Sequence, residues 1–571
     1  MAFQISPGVN VSEVDLTTVV PAVSTTAGGY AGRFQWGPAR KRILVSNEVG
    51  LVNTFGKPDG NTATSFFSAA NFLAYGNNLQ VVRAASSSSN NATSNANTTM
   101  VQIANEDVYD TTYINDSNTV AFVARYPGAL GNSLRVSIND ANTSSNSTTL
   151  SFANWAYKSS FSAAPNTSNY VATSGGANDQ IHIVVIDEDG LFSNGQKGTI
   201  LETFPFLSKA IDGVNDDGSP TYYRTVLRNQ SKYIYALGPV DGANTSVGTG
   251  AWGQTASTNF RGIGNINPTV SLSSGTSNAV SDSDISSAWD LFGNPDEVDV
   301  SLLVSGDAST TIQQKVIDLA VARKDCVAFV SAPSTVITSA TPDTLTTTWA
   351  SSTLARASTY AFADSGWKYQ FDKYNNLYRW IPLNGDIAGL CVRTDTTNDP
   401  WFSPAGASRG AIRNVVKLAW NPSQAQRDAI YSVGVNPVVS LPGQGTILFG
   451  DKTLVTQPTA FSRINVRRLF IVLEKAIAQA AKFSLFELND EFTRAQFVAI
   501  VEPFLRDVKG RRGIFDYRVV CDTTNNTPGV IDANQFVGDI YIKPARSINY
   551  IQLNFVAVRS GVSFNEIVGS V

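Results

Sequence analysis

Histidine is almost missing from this sequence: 571 residues include one, His182. That excludes metal centres built on clustered imidazoles and leaves a Ser-His-Asp site a single candidate base. Cysteine is scarce as well. Cys326, Cys391 and Cys521 lie far apart and are odd in number, which gives neither a disulfide framework nor metal-site spacing. Reduced, buried thiols in a cytoplasmic product are the expectation. Charged residues make up only 15% of the chain and the net charge is −4, with no basic tract, which argues against a general nucleic-acid binder. No apolar run has membrane-spanning length. The opening MAFQISPGVNV has neither a charged n-region nor an apolar h-region, so nothing directs secretion.

What is present is a long, soluble, multidomain pattern. With 43% hydrophobic content, a chain of this length is too long for one core, and three or four domains are expected. Residues 1–20 have no helical period. Val9 and Val11, then Val14 and Leu16, give two short alternations closed by Pro21, read as an extended arm with strand character, the alternative being a disordered terminus. From Gly28 the chain alternates strands and helices in the α/β manner. Tyr30, Phe34 and Trp36 share one strand face, Ser46 is placed to cap a helix ending before Gly56, a second helix spans about 64–75, and 79–83 is a strand.

Residues 86–99 (SSSSNNATSNANTT) are a polar low-complexity boundary. The segment up to 284 stays rich in Ser, Thr, Asn and Gly, with short strands such as 133–138 and 181–186, the composition of outward-facing β-rich inserts. The α/β pattern then returns. VDVSLLV (298–304) reads as a strand, 311–323 as a helix with Ile312, Val316 and Leu319 inward, and 326–330 as a second buried strand. Together they make a βαβ unit. Residues 369–381 read as a hairpin turning at Asn375-Asn376.

The C-terminal third is the most regular. Residues 466–483 predict one helix with Leu469, Leu473, Ile477 and Ala480 on one face. A second, capped by Asn489 or Asp490, carries Phe497, Ile500, Val501, Phe504 and Leu505 inward, and Pro503 predicts a kink or early end. Strand-like runs follow at 514–521, 537–543 and 548–558. The final VSFNEIVGSV, with Phe564, Ile567 and Val568, is either a frayed end or a strand meant for a neighbour's sheet.

The run VVCDTTNNTPGVIDANQFVGDIYIKPARSINYIQLNFVAVRSG, preceded by LFGDKTL, INVRRLF and LNDEFTRAQF, resembles the C-terminal signature of tail sheath proteins of contractile-tailed, T-even-like bacteriophages. PGVNVSEVDLTTVVP and GGYAGRFQWGP near the start, and YPGALGNSLRVSI and VVIDEDGLFSNGQKGTILE in the middle, are similar to further parts of that family. The resemblance implies an α/β and α+β multidomain fold. Its parts are an N-terminal arm (1–20), a subtilisin-like α/β core (21–85 with 285–400), two outer β-rich inserts (86–180 and 181–284), a C-terminal inner α+β domain (401–558) and a C-terminal arm (559–571). It also implies a structural subunit of the virion that is assembled in the host cytoplasm. Such a subunit stacks helically with copies of itself around an inner tail tube protein and meets baseplate and tail terminator proteins. It contacts no nucleic acid directly and inserts in no membrane. Val9, Val11, Val14, Leu16, Phe564, Ile567 and Val568 would then be the inter-subunit arm residues. Lys509, Arg511 and Arg512 either face an acidic tube or form a solvated helix end favoured by the helix dipole.

Other motifs are weaker. GLFSNGQKGT (190–199) departs from a phosphate loop in the position of its Lys and has no helix after it. Asp187-Glu188-Asp189-Gly190 lacks the spaced ligands of a calcium loop and reads as a turn. His182 falls in a strand outside the α/β core, so no catalytic group, cofactor or metal is expected. The alternatives are the sheath of a phage-derived injection device or, in a different class, a decoration or host-binding protein. An aromatic sugar groove would mark the latter, with Trp155, Tyr157 and Trp252 as the hints.

Overall fold

A computed structural model describes residues 24–94, 100–114, 120–141, 151–237, 252–263, 269–549 and 552. The first described segment builds half of the central sheet: β1 (Gly28–Arg33), β2 (Arg42–Val45), helices α1 (Glu48–Phe55) and α2 (Ala63–Leu73), and β3 (Leu79–Ala84). The cap of α1 is Asn47, not Ser46: its backbone is extended and its side chain accepts from Gly50 N–H at 2.8 Å, satisfying one of the orphan donors of the first turn.

The Ser/Asn-rich segment forms β4 (Phe122–Ala124), β5 (Leu134–Asp140), β6 (Gln180–Asp187), β7 (Thr199–Ser208), β8 (Ile234–Ala236) and β9 (Thr269–Ser271). Four of these make one antiparallel sheet in the order β7-β6-β5-β9, and β4 pairs with β8. Apolar residues on one face, among them Val136, Ile138, Ile181, Ile183 and Val185, build a core separate from that of the central sheet. Because β5 pairs with β6 along Leu134↔Asp187 to Asp140↔Ile181, a division at residue 180 runs through one sheet. The segment leaves and rejoins the core at neighbouring points. Asn278 donates from Nδ2 to the Ser88 carbonyl at 2.8 Å and from its backbone to Ser89 Oγ at 3.1 Å. Nearby, buried Arg83 donates to the carbonyls of Phe34, Gly37 and Pro127.

The chain then adds α3 (Asp282–Asp290), β10 (Leu302–Val304), α4 (Thr310–Arg323), β11 (Val327–Ser331), β12 (Ala361–Asp364), the hairpin β13 (Trp367–Asp372) and β14 (Leu377–Pro382), and α5 (Asn384–Thr397). The βαβ unit is present as β10–α4–β11, in parallel register Leu302↔Val327. The strand expected over 298–304 is only three residues long. Ahead of it the Val298 carbonyl turns to a side chain, accepting from Arg323 at 2.8 Å. Helix α5 lies so close to α2 that a Cβ on Gly385 would stand 2.2 Å from the Ser68 carbonyl oxygen.

Next come β15 (Lys417–Leu418), α6 (Gln424–Ser432), β16 (Val435–Asn436), β17 (Val438–Leu441) and β18 (Gly445–Leu448). The central sheet has the order β16-β12-β11-β10-β1-β3-β2, parallel except for β2. Its last edge strand therefore comes from beyond residue 400. Its inner parallel strands β10, β11 and β12 are buried on both faces, as parallel strands between helices are, whereas the antiparallel edge strand β2 exposes Leu44.

The C-terminal unit consists of α7 (Ile464–Ala481), α8 (Glu491–Gly510) and the antiparallel pair β19 (Ile514–Val520) and β20 (Asp539–Pro544). Leu469 and Leu473 of α7 are buried and Ile477 is half-buried against Phe497, Val501 and Leu505 of α8, and buried Ala480 meets Ile500 and Phe504. Asp490 caps α8, accepting from Thr493 N–H at 2.8 Å. Pro503 does not end this helix, which runs on to Gly510. Pro503 and Ala499, whose carbonyl the missing N–H would have served, both lie on the exposed face, so that carbonyl is left to water while the buried stripe holds the helix. Of the expected strand over 548–558, only Ile548, Asn549 and Gln552 are described, and none is in a strand.

Candidate assembly surfaces

Val9, Val11, Val14, Leu16, Phe564, Ile567 and Val568 lie outside the described residues. The basic cluster at the end of α8 is described, and it is largely spoken for. Lys509 Nζ lies 3.0 Å from Asp516 Oδ1. Arg511 pairs with Asp399 and, at 3.5 Å, with Asp507, and its guanidinium stacks over the Trp401 ring at 5.1 Å. Arg512 is exposed and makes no ion pair among the described residues. Among the described residues, then, two of the three cations are already paired within the chain.

Helix α7 is fastened to the α/β core by charge as well as by packing. Arg468 forms a two-pronged pair with Asp395 of α5, with Nη1 to Oδ1 at 2.8 Å and both side chains at most 4% exposed. Burial opposes its charge, but Asp395 outweighs that and the guanidinium is held above the usual arginine range. Arg467 lies over the rings of Phe461 at 4.0 Å and Tyr360 at 4.2 Å. Lys475 Nζ reaches Asp299 at 2.6 Å.

The weaker motifs resolve into structure. His182 is buried on β6 between Phe161, stacked at 4.3 Å, and Phe206. Its Nδ1 accepts from Phe206 N–H at 3.0 Å, which assigns the proton to Nε2, 2.9 Å from the Ala163 carbonyl oxygen. Burial holds its pKa below the ordinary histidine value. In the 190–199 loop, the backbone N–H groups of Gly190, Leu191, Phe192 and Ser193 all donate to the Asp187 carboxylate at 2.8–3.1 Å. The donors that would have held a phosphate already hold this side chain. Asp189 pairs with Lys197 at 3.6 Å; among the described residues no His/Cys/Asp/Glu cluster could hold a metal ion. All three cysteines are buried and unpaired, and burial pushes Cys326 and Cys391 up to about 12. Trp155 packs on Val184 and Ile186 whereas Trp252 packs with Ile183 and Val185. Alternate residues of one strand face opposite ways, so these two indoles lie on opposite sides of the sheet and form no common groove.

Two features passed unnoticed in the sequence. The link between α7 and α8 exposes Phe483, Leu485, Phe486, Leu488 and Phe492, with Phe486 fully exposed at φ +70°. At the other end of α8 is a cavity of about 560 Å³ bordered by Trp401, Phe402, Phe449, Arg409, Arg512 and Arg546. The first was legible as KFSLFELNDEF, apolar residues at neither helical nor strand spacing. The second draws on residues more than a hundred positions apart and had no sequence signal.

Comparison with known proteins gives three family matches: the tail sheath protein Gp18 domain III N-terminal region over residues 25–84, the phage tail sheath protein central domain over 278–454, and the phage tail sheath C-terminal domain over 456–557. The chain is 35% identical to the tail sheath protein of Enterobacteria phage T4, with 99% of each chain covered. It is 33% identical to that of Vibrio phage KVP40, covering 99% of this chain and all of that one. Among solved structures, the fold is similar to a sheath tail protein from Listeria innocua, with TM-score 0.52 and 9% identity over 92% of this chain and 96% of that one. A Desulfitobacterium hafniense counterpart also gives 0.52, with 11% identity over 95% and 100%.

Proposed function

The chain belongs to the tail sheath proteins of contractile-tailed bacteriophages, and from that premise we propose how it assembles and acts: as a virion subunit that polymerises around an inner tail tube and shortens to drive the tube into the host envelope. The observation that carries this is the 35% identity to the T4 tail sheath protein along practically the whole of both chains.

Assembly rests on the terminal segments. A strand given to a neighbour's open sheet gains backbone hydrogen bonds without a large flat interface. Giving and receiving surfaces that differ make the contact heterologous, so it propagates as a helix of subunits. Val9, Val11, Val14 and Leu16 at one end and Phe564, Ile567 and Val568 at the other are the residues assigned to that exchange. The exchanged segments keep the lattice connected while subunits move as rigid bodies. The α/β core, subtilisin-like in this reading, extends to Leu454, whose N–H bonds the Ala361 carbonyl at 3.0 Å. Contraction runs downhill from a kinetically trapped extended lattice. The reading assigns no enzymatic step, and the engagement of both His182 nitrogens supports that. Lys509, Arg511 and Arg512 are the candidates for a tube contact, the first two by exchanging the ion pairs they hold within the chain; baseplate and terminator contacts, no direct nucleic-acid contact and no membrane insertion complete the reading.

Electron microscopy of the purified full chain, beside a version lacking residues 1–18 and 561–571, tests it. Hollow tubes from the full chain and only monomers from the trimmed one are expected. Tubes from both would overturn the role of the arms, and tubes from neither, at any salt or concentration, would overturn the assembly reading.

A further inference from the structure

The two ends of α8 carry complementary surfaces. At its start, Phe483, Phe486, Leu488 and Phe492 stand in solvent, between 69% and fully exposed. A solvated phenylalanine gains nothing by exposure, and a left-handed backbone is unfavourable for a non-glycine residue. Phe486 bears both burdens. Observed strain of this kind points to a surface organised for something else. The border of this tip is mainly acidic. Glu487, Asp490 and Glu491 are exposed, with Lys482 exposed beside them and buried Arg494 turned to Asn489, and neither glutamate has an ion pair among the described residues.

At the other end of the same helix, Trp401, Phe402 and half-exposed Phe449 border the cavity of about 560 Å³, and its rim carries Arg409, Arg512 and Arg546. The one carboxylate there, Asp451, is already held by Arg463 Nη1 at 2.7 Å and by Ser547 Oγ at 2.6 Å. One end is apolar with an acidic border; the other is an aromatic hollow with a cationic border. A 20-residue helix separates them, about 30 Å at 1.5 Å per residue.

We propose that the Phe486 tip of one copy docks in the Trp401–Phe402–Phe449 hollow of the next copy, with Glu487 and Glu491 against Arg409 and Arg512. One chain cannot satisfy both ends of its own helix, and a second copy supplies what each lacks. The contact is head-to-tail, so it propagates and does not close on itself as a dimer. It rests on the sheath reading and adds to it a direct side-chain contact between copies. Aromatic insertion into a basic hollow supplies the affinity, and the charged border sets the register.

Charge exchange tests it in the full-length chain. E487R/E491R reverses the tip and R409E/R512E reverses the hollow. All four residues are exposed or half-exposed, and thermal unfolding verifies that each variant folds. Each reversed variant, and F486S, is expected to lose tube formation by electron microscopy under conditions in which the unaltered chain forms tubes. The chain carrying all four reversals is expected to regain it. A four-fold variant as inactive as its parents would overturn the pairing. So would a tip variant that assembles normally beside a failing hollow variant, which would assign the hollow to the chain's own C-terminal residues. Normal tip variants that fail only when tube protein templates assembly would assign the tip to the tube instead. Failure of the unaltered chain to polymerise would count against the sheath reading itself.

Discussion

Arg468 and Asp395 meet as a buried two-pronged pair, one from the long C-terminal helix α7 and the other from helix α5 of the α/β core. Seventy-three residues apart in the chain, they fasten two units that the family matches divide near residue 455.

Removing one partner strands the other as an uncompensated buried charge. Arg468→Ala or Asp395→Ala should each lower stability by about 3–5 kcal/mol. The pair R468M/D395L should cost much less, because it buries no charge. Urea unfolding of the three variants measures this; equal losses in all three would show that packing and not charge dominates there.

His182 gives the outer sheet an acid-sensitive point. Its folded pKa lies below the ordinary value because burial disfavours the imidazolium, so above about pH 6.5 both states are neutral and it adds no pH dependence. Below that, the unfolded chain takes up a proton that the folded one refuses. Stability therefore falls as pH drops through the unfolded value, by at most about 1.4 kcal/mol per pH unit. The slope between pH 6.5 and 5 should shrink in H182Q, compared by urea unfolding at each pH.

Asp187 organises the 190–199 loop through four backbone N–H groups and the hydroxyls of Ser133 and Ser193. Asp187→Ala should cost about 3 kcal/mol or more, since several buried donors lose a charged acceptor together. Asp187→Asn should cost less. Limited proteolysis should cut the alanine variant within residues 190–198, where the unaltered chain resists.

Gly385→Ala pushes a methyl group to within 2.2 Å of the Ser68 carbonyl oxygen. It should lower stability by roughly 1–3 kcal/mol by forcing α5 off α2. Gly510→Ala, where a Cβ meets nothing within 4 Å, should be neutral or slightly stabilising. Thermal unfolding distinguishes the two.

The elements with a repeating pattern were legible from the sequence. The α7 face, the Asp490 cap, the βαβ unit and the Asn375-Asn376 hairpin turn follow from spacing that a local physical rule reads directly. Of the two outcomes expected at Pro503, the early end does not occur, because the lost hydrogen bond falls on the exposed face while the buried stripe continues to Gly510. The outer segment's single sheet was hidden because β5, β6 and β9 are joined by long polar connections whose pairing no local period encodes. The two ends of α8 differ: KFSLFELNDEF shows apolar residues off any regular spacing but not that they are exposed. An exposed aromatic tip looks like core in the sequence, and the hollow is assembled from Trp401, Phe449 and Arg546, which share no local pattern.

The hydrogen bonds from Asn278 to Ser88 and Ser89 set the two ends of the outer segment side by side, on a core whose central sheet, among the described residues, takes no strand from that segment. Topologically this is a socket. A foreign domain with termini equally close together could be spliced between those points without rerouting any core strand. In a helical particle every copy would then carry the graft at the same radius and spacing, which makes this junction a natural site for ordered multivalent display.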